Sequence, residues 1–210
     1  APAVSVLIVA WQSGEHLARC LDALDRQRWR DFEAILVDNA SSDGAVERVA
    51  PRPWLRIDRA ASNLGFAAAN NRAAALARGR YLATLNPDAF AEPGWLDALV
   101  AAAERHPQAG SVASIQLLDA DPTRLDGVGD PLHAVGAAWR GGRLRPARPL
   151  AESGVFGVCA AAALYRRDAF DSVGGFCDRF FCFYEDVDLA VRLRLAGWTA
   201  VVTPDAVVRH

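Results

Sequence analysis

The amino-acid sequence predicts an α/β domain whose mostly parallel sheet is covered by helices on both faces. Three observations carry that expectation. The chain has 210 residues, 52% of them hydrophobic, enough for one sizeable core and within the range of a single domain, here residues 1–210. Short runs rich in β-branched residues alternate with segments whose apolar residues recur at helical spacing, the pattern of repeated β-to-α passages. The polar residues that break this pattern gather just after the apolar runs, where such sheets bind ligands.

The elements follow in order. Val4 to Ala10 is an apolar run that reads as a strand, and Ser13-Gly14 turns the chain into a helix carrying Leu17, Cys20, Leu21 and Leu24 on one side. Ala34 to Val37 is a second strand, closing at Asp38-Asn39; the Ser41-Ser42-Asp43-Gly44 turn then leads into another short helical segment. Trp54 to Ile57 is a third strand, Phe66 to Ala77 an Ala-rich helix after Asn63-Leu64-Gly65, and Tyr81 to Leu85 a fourth strand closing at Asn86-Pro87-Asp88. A helix follows from Glu92 to Arg105. Pro122 to Pro149, rich in Gly, Pro and Arg, reads as a flexible segment within the domain. Val155 to Tyr165 returns to the sheet, Asp168 to Val173 is a helical turn and Glu185 to Ala196 a helix. Thr199 to Val202 and Val207-Val208 are short terminal strands.

Charge and composition exclude several classes of partner. The 23 basic residues against 25 acidic ones leave a net charge of -2, which argues against nucleic acid or an anionic membrane as the main partner. Lys and Met are absent while Ala and Arg abound, as GC-rich bacterial DNA would encode. Cys20, Cys159, Cys177 and Cys182 form no CxxC pair and lie in apolar surroundings, so buried thiols in a reduced cytosolic setting are expected. The longest apolar stretch, Val155 to Tyr165, has 11 residues, short of the roughly 18 to 20 a membrane span needs. A soluble cytoplasmic chain is expected. The missing initiator Met and the end at His210 suit a trimmed chain whose absent tail holds it peripherally at the inner face of the membrane.

Three polar constellations stand out: Asp38, Asn86-Pro87-Asp88 and Tyr184-Glu185-Asp186-Val187-Asp188. Each has a structural reading as well as a functional one. An Asp after a strand serves as a turn former or helix cap, and acids in a first helical turn suit the helix dipole. Asp188 and Arg192 are also spaced for an i, i+4 ion pair. A nucleotide-cofactor oxidoreductase is disfavoured by the first turn: Ala10-Trp11-Gln12-Ser13-Gly14 has one Gly and no GxGxxG, so close pyrophosphate approach is not provided.

Taken together, VSVLIVAWQSGEHLARCL, FEAILVDNASSDG, NLGFAAANNRA, GRYLATLNPDAF, VGGF, FFCFYEDVDLAVRLRLAGW and VVTPDAVVRH, in this order and spacing, resemble the family 2 glycosyltransferases of the Rossmann-like GT-A fold. The likeness is greatest to the bacterial rhamnosyltransferase-like branch, which works in cell wall polysaccharide biosynthesis. The resemblance spans nearly the whole chain. It implies inverting transfer from a pyrimidine nucleoside diphosphate sugar, with dTDP-rhamnose first, to a hydroxyl of a glycan or lipid-linked glycan. It makes Asp186 the catalytic base, Asp38 the acceptor of the base N3–H, and Ala10 and Trp11 the walls of the base pocket. Asn63, Gly65, Asn70 and Asn71 would lie near the nucleotide. Asp88 would hold a divalent ion, Mn2+ or Mg2+, with His210 as a further ligand. Asn86 stands where many members have an Asp, which removes one charge, but its amide oxygen still suits a hydrated ion, the ribose or the sugar. The alternative that this departure motivates is a catalytically silent nucleotide-sugar binding module.

Overall fold

Every residue of the run Val4–Ala10 is buried, which is the condition of a central strand covered on both faces. The computed structural model describes the whole chain, Ala1–His210, and builds ten strands and five helices around that run. They are β1 (Val4–Ala10), α1 (His16–Asp25), β2 (Phe32–Asp38), β3 (Leu55–Arg59), α2 (Phe66–Leu76), β4 (Tyr81–Leu85), β5 (Phe90–Ala91), α3 (Trp95–Arg105), β6 (Ala109–Leu117), β7 (Leu125–Val128), β8 (Ser153–Val155), β9 (Ala162–Arg166), α4 (Arg167–Ser172), α5 (Glu185–Leu195) and β10 (Thr199–Arg209).

The sheet order is β3-β2-β1-β4-β9-β6-β10-β5, with β7 on β6 and β8 on β10. Strands β1 to β4 run in one direction, and β6 and β10 share it; β9 lies between the two groups and runs against both. The sheet is therefore mostly parallel, as expected. Strand alternation divides the core. Val4, Val6 and Ile8 pack with Leu17 and Leu21 of α1 and Trp95 and Leu99 of α3. Leu7 and Val9 face the opposite way, toward Ala67 and Ala73 of α2, Phe170 of α4 and Leu189 and Leu193 of α5.

A buried polar knot registers the parallel strands. Ser5 Oγ of β1 donates to Glu33 Oε1 of β2 at 2.9 Å and accepts from the Gly79 amide at 2.8 Å, just before β4. Arg78 pairs with Glu33 at 2.6 Å. Burial works to raise the Glu33 carboxyl, but the hydrogen bonds from Arg78 and Ser5 outweigh it and hold it below the ordinary range. At Gly79 a Cβ would lie 2.6 Å from the Ser5 amide nitrogen, so no larger residue fits this crossing.

Several expected elements differ. No helix follows Gly44: Ala45 to Arg48 form turns, because few residues remain before Pro51 and Pro53 stop an i to i+4 ladder. The run Val155 to Tyr165 is two strands, β8 and β9, and residues 156–161 cross between them. The segment Pro122 to Pro149 contains β7 and is ordered against it: Leu125 N donates to Arg145 O at 2.9 Å and Val128 N to Gly141 O at 2.9 Å. The two terminal strands are one, β10, with an irregular register between Val202 and Val207. The long strand β6 and the short β5 were not anticipated. Of the thiols, Cys20 and Cys159 are buried as expected, but Cys177 is half-buried and Cys182 exposed. No helix is long and apolar enough to cross a membrane.

Trp95 is fully buried where α3 meets the sheet, and its indole Nε1 donates to Ser114 Oγ of β6 at 2.8 Å. Trp95→Ala should cost about 3–5 kcal/mol of stability, from lost burial and the cavity left behind. Denaturant unfolding of the variant measures this; a midpoint close to the parent's would contradict the packing described.

Candidate active site

Strands β1, β2 and β4 end at the same edge of the sheet, and the loops that leave them build a first cavity of about 340 Å³. Trp11, Gln12, Ser13, Asn39, Asn63, Gly65, Asn86 and Asp88 line it. The β1 and β2 loops are clasped together: Gln12 Nε2 donates to Ser42 Oγ at 2.9 Å, and the Gly14 amide donates to Asp43 Oδ2 at 2.7 Å. Asn39 joins the third loop, donating to Asn63 Oδ1 at 2.8 Å and accepting from the Leu64 amide at 2.8 Å. Trp11 is exposed on the wall, whereas Ala10 is buried behind it with its carbonyl accepting from the Asn39 amide at 2.8 Å.

Of the remaining residues singled out for the nucleotide, Asp38, Asn70 and Asn71 lie outside this cavity. Asp38 is buried outside the cavity wall; its Oδ1 accepts from the Ser41 amide at 3.0 Å and its Oδ2 from Arg59 at 2.7 Å. Gly65 adopts φ +80°, and a Cβ there would lie 2.5 Å from Phe181 O. Its freedom thus lets the Phe181 segment close over the start of α2, where the Phe66 amide donates to Phe181 O at 2.6 Å. Asn70 and Asn71 do not reach the cavity. Asn70 bonds Phe66 O within its own helix at 3.0 Å, and Asn71 grips Phe176 through both its amide atoms at 2.7 and 2.9 Å. Both sit beyond the first turn of α2, whose face is turned to packing.

Asp88 and His210 meet at the mouth of this cavity. His210 Nε2 lies 3.4 Å from Asp88 Oδ1, while its Nδ1 donates to Asp126 Oδ2 at 2.9 Å. Arg140 also pairs with Asp126. The end of β10 is held in place: the His210 amide donates to Leu117 O at 2.8 Å. Burial alone would lower the imidazole pKa, but the bonds to Asp126 and Asp88 reverse this and push it up to about 9. The same contact with His210 lowers the Asp88 carboxyl. These residues fit a divalent ion. Asp126 holds Nδ1–H, as an outer carboxylate does for a histidine ligand, so that Nε2 faces Asp88 and could bind an ion that displaces its proton; the carboxylate suits Mn2+ or Mg2+, and the imidazole favours Mn2+ of the two.

A second cavity, of about 300 Å³, shares Phe66, Asn86 and Cys182 with the first, so the two form one trough with Asn86 at its waist. Asp186, Glu185, Asp130, Cys159 and Arg140 line it. Asp186 Oδ2 accepts from the Ala160 amide at 3.1 Å and Oδ1 from the Val187 amide at 2.9 Å; burial outweighs both bonds and raises its pKa. Asp188 pairs with Arg192 at 2.6 Å, the i, i+4 pair its spacing suggested. Glu185 faces this cavity too. Phe183 and Tyr184 stand at φ +70° and +67°, a sharp entry that leaves the first residue of α5 aimed inward.

Asp130 and Arg140 were not legible as site residues, because each lies in the irregular segment where an Asp before Pro reads as a turn former. Asp130 Oδ1 has no hydrogen-bond partner and Glu185 Oε2 has none. Burial first, then repulsion from Asp186, pushes each carboxyl up to about 7. Ligand atoms of Asp130, Cys159 and Asp186 lie within 4.8 Å of one another. Burial pushes the Cys159 thiol up to about 12, so it stays protonated and suits a hard cation poorly. This cluster stores a proton more readily than it holds a metal.

A family model described as glycosyl transferase family 2 matches residues 5–174. The chain is 33% identical over 237 residues to an N-acetylglucosaminyl-diphospho-decaprenol L-rhamnosyltransferase of Mycobacterium tuberculosis, covering 98% of this chain and 75% of the relative. It is 31% identical over 227 residues to the O-antigen biosynthesis protein RfbC of Myxococcus xanthus, covering 100% of this chain and 17% of that one. Among solved structures, GalNAc-T7 with UDP, GalNAc and Mn2+ superposes with a TM-score of 0.82 at 15% identity, over 100% of this chain and 44% of that one. TarS 1-349 of S. aureus with UDP-GlcNAc superposes with a TM-score of 0.73 at 17% identity, over 98% and 57%. The chain thus spans three quarters of the mycobacterial relative but little more than half, or less, of these solved chains.

The raised Asp130 carboxyl has a signed consequence. Between its ordinary 3.8 and about 7, the folded chain keeps a proton that the unfolded chain releases, so this group's stabilising contribution is full below 3.8 and is lost as pH rises through 7. Asp130→Asn removes that titration. The variant should melt at least about 4 °C above the parent at pH 8, with the advantage shrinking toward pH 4. Melting curves across that range measure it, and a difference that does not vary with pH would contradict the assignment.

Proposed function

This chain belongs to glycosyl transferase family 2, and from that premise we propose that residues 1–210 act as one domain that transfers a sugar with inversion. The donor is a pyrimidine nucleoside diphosphate sugar, dTDP-rhamnose first, and the acceptor a hydroxyl of a lipid-linked glycan. One observation carries the reading: Asp88 with His210 and Asp186 lie in adjoining cavities that meet at Asn86. The relative's name supports both the rhamnosyl donor and an acceptor sugar on a prenyl diphosphate. Such an acceptor places the chain peripherally at the cytoplasmic face of the membrane.

In this reading the first cavity takes the donor. Trp11 walls the base, and Asp38, just behind that wall, accepts from N3–H of uracil or thymine through a lone pair that Ser41 and Arg59 leave free. Asn63 and Gly65 shape the wall beside it, and Asn86 reaches the ribose or the sugar. A divalent ion, when bound, neutralises charge developing on the leaving diphosphate; Asp88 and His210 would hold it. Across the waist, Asp186 takes the proton of the attacking hydroxyl. Its raised pKa strengthens it as a base, and the Ala160 and Val187 amides fix its rotamer. Retention of Asp186 together with Asp88 favours an enzyme over a silent binding module.

Donor binding should depend on cation and on Asp88. Calorimetric titration with dTDP-rhamnose should give a clearly lower affinity with chelator, or for Asp88→Ala, than for the parent with Mn2+; equal affinity in all three would remove the metal role. The same titrations with dTDP, UDP, CDP and GDP should favour the first two, and equal binding of all four would remove the base assignment. Asp186→Asn should lower turnover by about 10²- to 10⁴-fold with donor affinity nearly unchanged. Transfer within a few-fold of the parent would place the base elsewhere, with Glu185→Gln the first variant to examine.

A further inference from the structure

A third cavity adjoins the part of the trough that holds Asp186. Trp139, Arg140, Gly142, Arg143, Arg145 and Phe183 line it, and it shares Trp139, Arg140 and Phe183 with the cavity that holds Asp186. Catalytic carboxylate and arginine cluster therefore line adjoining cavities, and Asp126, paired with both Arg140 and His210, joins the cluster to the donor side. We infer that the diphosphate of a prenyl-linked acceptor docks on Arg143 and Arg145, with its first sugar lying between them and Asp186. This rests on the reading of Asp186 as the base.

Charge carries the first part of the argument. From Pro131 to Ala151 the chain has Arg140, Arg143, Arg145 and Arg148 and no acidic residue, in a protein whose net charge is -2. Asp126 is the carboxylate within reach, and Arg140 already pairs with it; Arg143 approaches it only at 3.5 Å. Arg145 makes no ion pair or side-chain hydrogen bond. Arg145, with no partner, and Arg143, held only by that long contact, are both exposed and line one cavity; such a pair suits a diphosphate, whose oxygens take charge-assisted bonds from several donors at once.

The apolar rim carries the second part. Trp139, Leu144 and Phe183 are 53%, 53% and 79% exposed beside these arginines. Leu144 and Phe183 both stand in the left-handed region, at φ +63° and +70°, where side chains larger than Gly are disfavoured and where observed outliers point to function. Each is thereby held outward. Gly141 fixes the segment close to β7: a Cβ there would lie 2.5 Å from Val128 O. A free phosphate would need the arginines but no aromatic rim, and a bare membrane surface would need no pocket. An anion bearing a hydrocarbon chain uses both. Because the cavity of Arg143 and Arg145 shares Trp139, Arg140 and Phe183 with that of Asp186, the acceptor is a short one, whose reacting hydroxyl belongs to a sugar near the diphosphate.

Calorimetry on the full chain tests this without requiring turnover. The probes are farnesyl diphosphate, farnesol, inorganic pyrophosphate and dTDP with Mn2+, each against the parent, Arg143→Ala with Arg145→Ala, and Trp139→Ala with Phe183→Ala; circular dichroism checks the fold of each. The parent should bind farnesyl diphosphate more tightly than farnesol or pyrophosphate. The arginine variant should lose about tenfold or more of that affinity and the aromatic variant should lose preference over pyrophosphate, while dTDP binding stays unchanged. No binding of farnesyl diphosphate by the parent, or equal binding by the arginine variant, overturns the proposal. An equal loss of dTDP assigns the arginines to the donor. Binding to phosphatidylglycerol vesicles that needs the arginines, without binding of farnesyl diphosphate, assigns them to the membrane surface; both outcomes also overturn it. Should Asp186→Asn transfer sugar normally while the arginine variant still loses farnesyl diphosphate, the base assignment fails and the docking site stands.

Discussion

The site depends on the antiparallel seating of β9 between β4 and β6. Because β9 runs against its neighbours, its entry lies at the edge where β4 leaves, and the short backbone segment before it touches both halves of the trough. The Asn86 amide donates to Ala161 O at 2.8 Å, and the Ala160 amide donates to Asp186 Oδ2 at 3.1 Å. One residue pair thus spaces the β4 loop from the start of α5. Had β9 joined in parallel, its entry would lie at the far edge, and Asp88 and Asp186 would share no common wall.

Around that wall the chain sorts its carboxylates into two electrostatic environments. Asp88, against His210, is held ionised; Asp126, between His210 and two arginines, is likewise lowered although burial opposes this. Asp130, Glu185 and Asp186 lie across the waist with few donors among them, and all three are raised. Carboxyls of one chemical type are thereby suited to different work, holding a cation on one side and a proton on the other. Arg140 pairs with Asp126 and lines the cavity of the raised carboxyls, so its position in an Arg-rich strip joined to β7 links cation side, proton side and groove end.

What the sequence made legible follows from which interactions are local. The parallel half is readable because β1, β2 and β4 are buried on both faces and so appear as predominantly apolar runs, interrupted only by single polar residues such as Ser5 and Glu33, and their polar loops mark the ligand edge. The pairing of Asp188 with Arg192 is likewise a matter of helical spacing. Strand β6 was missed because Ala109, Gly110 and Ser111 give it little β-branched character; its pairing with β9 and β10 over long sequence separations overrides that weakness. Asp130 and Arg140 were missed because a ladder formed with β7, not any periodicity of their own, orders their segment. Family likeness pointed to Asn70 and Asn71, but helical geometry decides that their amides hold the chain together.

The contact between Gly65 and Phe181 bears on how a diphosphate is neutralised here. A helix N-terminus reached through glycine ordinarily offers free amides to phosphate oxygens. In this chain the first amide of α2 is already taken by Phe181 O, and the space a ligand would use beside Gly65 is filled by the Phe181 ring and carbonyl. The first amide of α2 is therefore withdrawn from the donor cavity, and on the proposed reading the charge of the diphosphate is met on the side where Asp88 and His210 would hold a cation. On the proposed reading, affinity for the sugar nucleotide becomes a property that the supply of divalent cation tunes, rather than one built irrevocably into the backbone.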